Sequence, residues 1–166
     1  MSRKRHATLR TATASDLAAI WRMWKTVMEQ DVYYPYDRTY TRQQIEAGWV
    51  NLENLIGVAE VEGQIAGAYI VKPNQPGHGS HVANAAYMVD TPFRSKGIGR
   101  QLCMHSLAAA KAAGYRAMQF NLVVSTNIGA IKVWESLGFE RIGVVPEGFY
   151  HVGMGFVDAY IYYRVL

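Results

Sequence analysis

The chain has 166 residues, enough for one domain with a real hydrophobic core. Half of them are hydrophobic and 18% are charged, an ordinary globular balance that excludes a low-complexity or disordered chain. The formal charge of +4 (17 basic, 13 acidic) favours anionic ligands only weakly. Five of the cations (Arg3, Lys4, Arg5, Arg10 and Arg22) fall in the first 22 residues, so residues 1–6 read as a flexible solvated tail and the remainder is near neutral. Nucleic acid is therefore not implied. Cys103 is the only cysteine, which rules out an internal disulfide and suits a reducing compartment. Thr11, Thr13, Ser15 and Asp16 stand where a signal peptide needs apolar residues, and no run of about 18 apolar residues exists, so a cytoplasmic protein off the membrane is expected.

In chain order, residues 7–12 read as a short strand. Ser15 and Asp16 offer an N-cap to a helix carrying Leu17, Ile20, Trp21, Trp24 and Met28 at helical spacing. Pro35 disfavours helix at Tyr34 and makes residues 31–37 a loop. Thr41 opens a second short helix to about Val50. Strands near 54–60 and 64–71, joined by Val61-Glu62-Gly63, form a hairpin signal. Residues 72–80 carry two prolines and two glycines and read as a loop. Residues 82–89 are apolar enough for a central strand. Residues 97–113 turn helical, with Gly114 as the stop, and 117–124 form another strand. A helix over 127–137 closes at Gly138, and strands over 139–145 and about 157–164 finish the chain. This is a mixed α+β order in one domain over 1–166, with about four helices.

Between the strand ending at Val89 and the helix beginning near Gly97 lies Arg94-Ser95-Lys96-Gly97-Ile98-Gly99-Arg100. Glycines there let a ligand approach the backbone, and the helix behind them presents free N–H groups and the positive end of its dipole. A pyrophosphate suits both, and Arg94, Lys96 and Arg100 add charge. Two glycines alone fit a plain strand-to-helix turn equally well. Leu102 breaks GxGxxG, and no Gly-Lys-Ser/Thr follows for a P-loop.

The company the loop keeps is more specific. Arg94, Gly97 and Gly99, after Val89-Asp90-x-x-Phe93, match the pattern Q/R-x-x-G-x-G/A. Asn127, Ala130, Trp134 and Gly138-Phe139 match a second pattern, one strand later. On these residues the chain resembles the GCN5-related N-acetyltransferase (GNAT) superfamily over roughly residues 8–166. The resemblance implies a central mixed, mostly antiparallel sheet that splays at a bulge, flanked by about four helices. It implies acetyl-CoA as cosubstrate, with the pantetheine arm against Met88, Val89 and Asp90. The pyrophosphate would lie on the amides of Ser95, Lys96, Gly97, Ile98, Gly99 and Arg100, and Asn127 would meet the pantetheine region, serve as a helix N-cap, or do both.

Acetyl transfer needs a deprotonated amine, a polarised thioester carbonyl and a departing thiolate. The expected oxyanion donor is a backbone N–H at about Met88 or Val89. The superfamily's proton-donating tyrosine slot holds Trp134, which is no acid, leaving Tyr87, Tyr150 or water. The central strand carries no carboxylate, so His81, water or plain positioning of a neutral amine must serve for a base. A finer resemblance, to the branch that includes fungal acetyltransferases of proline analogues such as azetidine-2-carboxylate, places Asn84 and Asn121 at the acceptor cavity. An Asn in an apolar strand is costly unless its amide is paired, so substrate contact and a backbone cap are both open to them. Tyr33, Tyr34 and Tyr36 fall where an acceptor wall is expected, or on an exposed interaction loop. The acceptor is thus expected to be a small amine or imino acid, with no metal and no nucleic acid. Other amines (an antibiotic, an amino acid, a polyamine, a protein N-terminus) and a non-catalytic acyl-CoA sensor are the alternatives. A homodimer through the last strand is expected by analogy with the superfamily.

Overall fold

A computed structural model describes residues 6–166; residues 1–5, most of the expected tail, lie outside the described part. The elements in chain order are β1 (Thr8–Thr11), α1 (Leu17–Gln30), α2 (Arg42–Gly48), β2 (Leu55–Val61) and β3 (Gln64–Pro73). Then follow β4 (Val82–Val89), α3 (Ile98–Ala112), β5 (Ala117–Val124), α4 (Ile128–Ser136), β6 (Glu140–His151) and β7 (Gly155–Val165). The strands form one sheet in the order β1-β2-β3-β4-β5-β7-β6. Every neighbouring pair is antiparallel except β4–β5. No described helix is long and apolar enough to cross a membrane.

Local signals account for most boundaries. Thr41 and Gln44 form a reciprocal capping box at the start of α2, Thr41 N–H to Gln44 Oε1 at 2.8 Å and Gln44 N–H to Thr41 Oγ1 at 3.2 Å. Gly114 and Gly138 take the positive φ values, 95° and 86°, that end α3 and α4. The last two strands are longer than their sequence suggests. Pro146 and Gly148 look like the end of a strand, but pairing shifts register between Val145 and Phe149 and resumes at Phe149 opposite Val157. Glu147 absorbs the irregularity at φ 53°, and Asp158 Oδ1 accepts its N–H at 3.0 Å.

The central feature is a parting of the sheet. β4 stays in unbroken register with β3 from Pro73 opposite Ala83 to Gly67 opposite Val89. β5 stays with β7, with a register shift between Phe120 and Val123. Between them, β4 and β5 pair only at Val82 with Ala117 and Ala83 with Met118. Beyond Ala83 the two strands diverge, as expected; the bulge that accompanies the splay lies on β5.

Each face of the sheet has its own core. Tyr69, Leu102, Met118, Phe120, Phe139 and Tyr162 pack on the α3 side, and Ile20, Trp24, Ile45, Val58, Ile70 and Met88 on the α1 and α2 side. A 14-residue helix such as α1 is marginal alone in water. Full burial of Ile20 and Trp24, worth about 1.5–3 kcal/mol for a large apolar side chain, is what holds it on the sheet.

Its start is pinned electrostatically. Arg10 of β1 forks onto the buried Asp16 carboxylate at 2.8 and 3.0 Å and reaches Glu60 Oε2 at 3.1 Å, while Thr13 N–H donates to Asp16 Oδ2 at 2.8 Å. The Arg10 hydrogen bond, opposed by burial, draws the Asp16 pKa down to about 2. A carboxyl depressed in the fold adds stability that is complete above its unfolded pKa near 4 and lost as pH falls toward 2. Asp16→Ala should therefore lower stability at neutral pH by roughly 1–2 kcal/mol, a figure reduced for the half-exposed Arg10. Thermal melts of both proteins from pH 7 to 2 check this: the curves should converge in acid, and a gap that persists at pH 2 would contradict it.

Candidate active site

The opening between β4 and β5 becomes a cavity of about 650 Å3, lined from both strands, the loop before α3, the start of α4 and the tyrosine loop after α1. Its chemistry begins with the exposed edge of β4. In an antiparallel ladder alternate residues turn both N–H and C=O to the partner strand. Asp90 N–H bonds the Ala66 carbonyl and Asn74 N–H bonds the Val82 carbonyl, both at 2.8 Å. The even-numbered residues of β4 therefore face β3, and Ala85, Tyr87 and Val89 face the opening. Met88, though it lines the cavity, has its amide committed to β3; the amide available at this point is that of Val89. Three groups of the open edge are already occupied. Ala85 N–H donates to Asn84 Oδ1 at 2.8 Å, the Tyr87 carbonyl accepts from Tyr34 Oη at 2.6 Å, and the Val89 carbonyl accepts from Arg94 Nε at 3.3 Å. The N–H groups of Tyr87 and Val89 have no partner among the described residues.

At one end of the cavity is the loop before α3. Ser95 and Gly97 take φ values of 61° and 81°, and Gly97 is the N-cap of α3 with no side chain bonding across it. The first helical bond runs from Gln101 N–H to the Gly97 carbonyl at 3.2 Å, so the N–H groups of Ile98, Gly99 and Arg100 are left without intrahelical acceptors. The two glycines differ in purpose. Gly97 needs its positive φ, whereas Gly99 is helical and a Cβ there would meet nothing nearer than Val89 Cγ2 at 3.9 Å. Packing within the chain does not require glycine at 99; a ligand lying on the helix end would.

The cations divide. Arg94 lines the cavity and is braced from α1: with the Gln30 amide turned to face it, Oε1 accepts from both terminal nitrogens at 3.0 and 3.1 Å. Arg100 lines the cavity and bonds Ser136 Oγ on α4. Lys96 does not: its ammonium bonds the Pro92 carbonyl at 3.0 Å and lies over the Phe93 ring, so its charge is turned away from the cavity. Asn127 does cap α4, accepting from Ala130 N–H at 3.4 Å, and it also lines the cavity.

The other end is aromatic. Trp24 packs against Tyr34, Tyr36 and Trp49 with ring centres 5.0, 5.8 and 5.4 Å apart. Trp49 Nε1 donates to Tyr36 Oη at 2.8 Å. Tyr33 lines the same end and is partly exposed. Asn84 and Asn121 both line the cavity, but their settings differ. Asn84 has its oxygen fixed by Ala85 N–H, which leaves its NH2 without a described partner. Asn121 is exposed and sits in a polar chain, donating to Asn74 Oδ1 at 2.6 Å and accepting from Gln119 Nε2 at 3.0 Å.

None of the side chains considered as acid or base fits that role. Tyr87 Oη is paired with Ser106 Oγ at 2.7 Å, Ser106 itself donates to the Cys103 carbonyl, and burial holds the phenol well above its ordinary pKa. Tyr150 packs on Phe156 out on the β6–β7 hairpin, and His81 lines a separate groove. Trp134 is a wall, its ring 5.0 Å from those of Tyr87 and Phe120. Among the described residues the cavity lining contains no carboxylate, histidine, lysine or cysteine, and its only charges are Arg94 and Arg100. The place of Gln30, Trp24 and Trp49 at the site is not legible in the sequence, because polar and apolar residues in and beside helices at ordinary spacing carry no mark of a site.

Comparison with known proteins places the sequence and the fold. The sequence matches the model of the acetyltransferase (GNAT) family over residues 16–139. It is 44% identical over 99 residues to the N-acetyltransferase aca1 of Schizosaccharomyces pombe, covering 59% of this chain and 47% of that protein. The chain thus spans about half the length of that relative. A GCN5-related N-acetyltransferase from Kribbella flavida superposes with a TM-score of 0.90 at 37% identity, covering 96% of this chain and 98% of that one. The yncA protein of Salmonella typhimurium, solved with its cofactor acetyl-CoA, has the same fold (TM-score 0.82, 22% identity, 97% and 94% covered). With the family match spanning most of the sequence, the chain belongs to the acetyltransferase (GNAT) family.

Proposed function

We propose that this chain, as a single catalytic domain, transfers the acetyl group of acetyl-CoA to the nitrogen of a small amine or imino acid, with proline analogues as the finer expectation. The observation that carries the reading is Gly99: a helical glycine that no contact within the chain requires, at an uncapped helix end flanked by Arg94 and Arg100. The Salmonella protein of like fold, solved with acetyl-CoA, lends support.

In this reading the amides of residues 95–100 hold the pyrophosphate, and the pantetheine arm runs along the open edge of β4, with Asn127 beside it. The Val89 N–H, on that open edge, replaces Met88 as donor to the oxyanion that forms on the thioester carbonyl. The amine attacks in its neutral form: the N–C bond forms, the C–S bond breaks, and the nitrogen's proton leaves to solvent while the thiol is re-formed. A cavity lined by no carboxylate or imidazole among the described residues makes positioning the main contribution. In this reading the Asn84 NH2, which has no partner among the described residues, receives a substrate carboxylate, with Asn121 as a second, more exposed contact. The same lack of acidic groups disfavours polyamines and other polycations. It is also what a non-catalytic acyl-CoA sensor would have, and free-thiol release with a panel of amines and imino acids separates the two: acetyl-CoA binding without turnover would favour the sensor.

Two substitutions test the assignment of the ends. Gly99→Ala should leave stability unchanged or raise it by up to about 1 kcal/mol, because alanine is the better helix former, while acetyl-CoA affinity falls. Gly99→Asp should abolish binding through bulk and negative charge. Calorimetric titration beside thermal melts reads both, and full affinity in Gly99→Asp would refute the loop assignment. Asn84→Ala should raise the acceptor KM by about tenfold, the value of one charge-assisted hydrogen bond, without altering acetyl-CoA affinity. Steady-state kinetics with azetidine-2-carboxylate measures it, and an unchanged KM would return Asn84 to a purely backbone-capping role.

A further inference from the structure

The Tyr34 hydroxyl lies on the exposed edge of β4 in a way that the wall of an acceptor pocket does not need. Its proton is committed to the Tyr87 carbonyl at 2.6 Å. A phenol that donates once still has lone pairs to accept with, and Tyr34 lines the cavity. The Tyr87 carbonyl and the Val89 N–H lie on the same edge, flanking Met88, so this hydroxyl stands beside the amide where the oxyanion forms.

The other oxygens at this end are less suited. Asn84 Oδ1 accepts from Ala85 N–H, Asn121 Oδ1 from Gln119, and Tyr36 Oη from Trp49 Nε1. The Tyr33 hydroxyl is not tied to β4 and is partly exposed. Tyr34 Oη accepts nothing among the described residues. Its ring is seated against Trp24 at 5.0 Å and its proton is fixed, so the direction of its lone pairs is fixed as well. We propose that Tyr34 Oη accepts a hydrogen bond from the N–H of the attacking amine and so aims the nitrogen lone pair at the thioester carbonyl held by Val89. This rests on the acetyltransferase reading above. The hydroxyl takes no proton in the step. Burial raises its pKa, and the charged groups that line the cavity among the described residues are two arginines, Arg94, which bonds the Val89 carbonyl, and Arg100, neither of which takes up a proton. Bond changes are those of the transfer itself: N–C forms, C–S breaks, and the proton from nitrogen leaves to water.

Tyr34→Phe keeps the ring and deletes the acceptor. Thiol release would be followed with azetidine-2-carboxylate and benzylamine as acceptors, from pH 6 to 10, beside calorimetric titration with acetyl-CoA. The expected result is a fall in kcat of about 10–100-fold with the acceptor KM and the acetyl-CoA affinity changed by no more than about threefold. The pH dependence of kcat/KM should follow the acceptor amine alone in both proteins. Four results would overturn the proposal: unchanged kcat, a raised acceptor KM with kcat intact, loss of acetyl-CoA binding, or an ionisation seen in the native protein and missing in Tyr34→Phe. The first three make the hydroxyl structural and the last makes it a base. Native protein that binds acetyl-CoA but turns over neither these two acceptors nor any other of the amine and imino-acid panel would sink the acetyltransferase reading itself, whereas an active native protein with an equally active variant sinks only the role of Tyr34.

Discussion

Strands β4 and β5 hold each other for two residue pairs and then part, and nearly every functional feature depends on that parting. A parallel pair inside a sheet would normally bury both backbone edges in hydrogen bonds. Here β4 is committed to β3 over its whole length and β5 to β7, so neither depends on the other for stability. The divergence leaves Tyr87 and Val89 with backbone donors facing a cavity, which would be costly in a closed core and is useful where an amide-bearing arm can lie as an extra strand.

The two ends of the cavity are built on different physics. At the α3 end the work is done by backbone: uncapped N–H groups, a helix dipole, and two arginines, one braced by Gln30 and the other by Ser136. Such a site favours an anion of defined shape and is indifferent to the side chains of the loop, which explains why Lys96 can turn its charge away onto Pro92 without disturbing it. At the tyrosine-loop end the work is done by side chains, four packed aromatic rings with hydroxyl and amide groups at their margin. Among the described residues this end carries no formal charge, so orientation of a ligand there must come from hydrogen bonds and shape.

The remote contacts serve these ends. The Arg10–Asp16 fork holds the start of α1 against β1, and α1 then delivers Trp24 to the aromatic wall and Gln30 to Arg94. One helix thus reaches both ends of the cavity, and its burial against the sheet couples their geometry. The long β6–β7 hairpin lies away from the cavity and exposes Ile142, Tyr150, Met154 and Phe156.

The element order, the glycine turn before α3 and a cap for α4 at Asn127 were legible in the sequence, because each rests on short-range rules: periodicity, capping residues, glycines at positive φ. Thr41, Gly114 and Gly138 were readable for that reason. The sequence also brought Asn84, Asn121 and the tyrosine loop to one place by resemblance. Tertiary structure alone decided which atoms of those residues are free. Whether Met88 or Val89 offers its amide depends on the β3–β4 register, a one-residue choice that no composition reveals. That Tyr87 and Tyr150 cannot be proton donors follows from Ser106 and Phe156, partners distant in sequence or set by the hairpin. The extended β6 and β7 hid behind Pro146 and Gly148, since a bulge that rescues pairing is stabilised from across the sheet, by Asp158. The hydroxyl of Tyr34 meets the carbonyl of Tyr87 across 53 residues, and only the folded chain brings the two together.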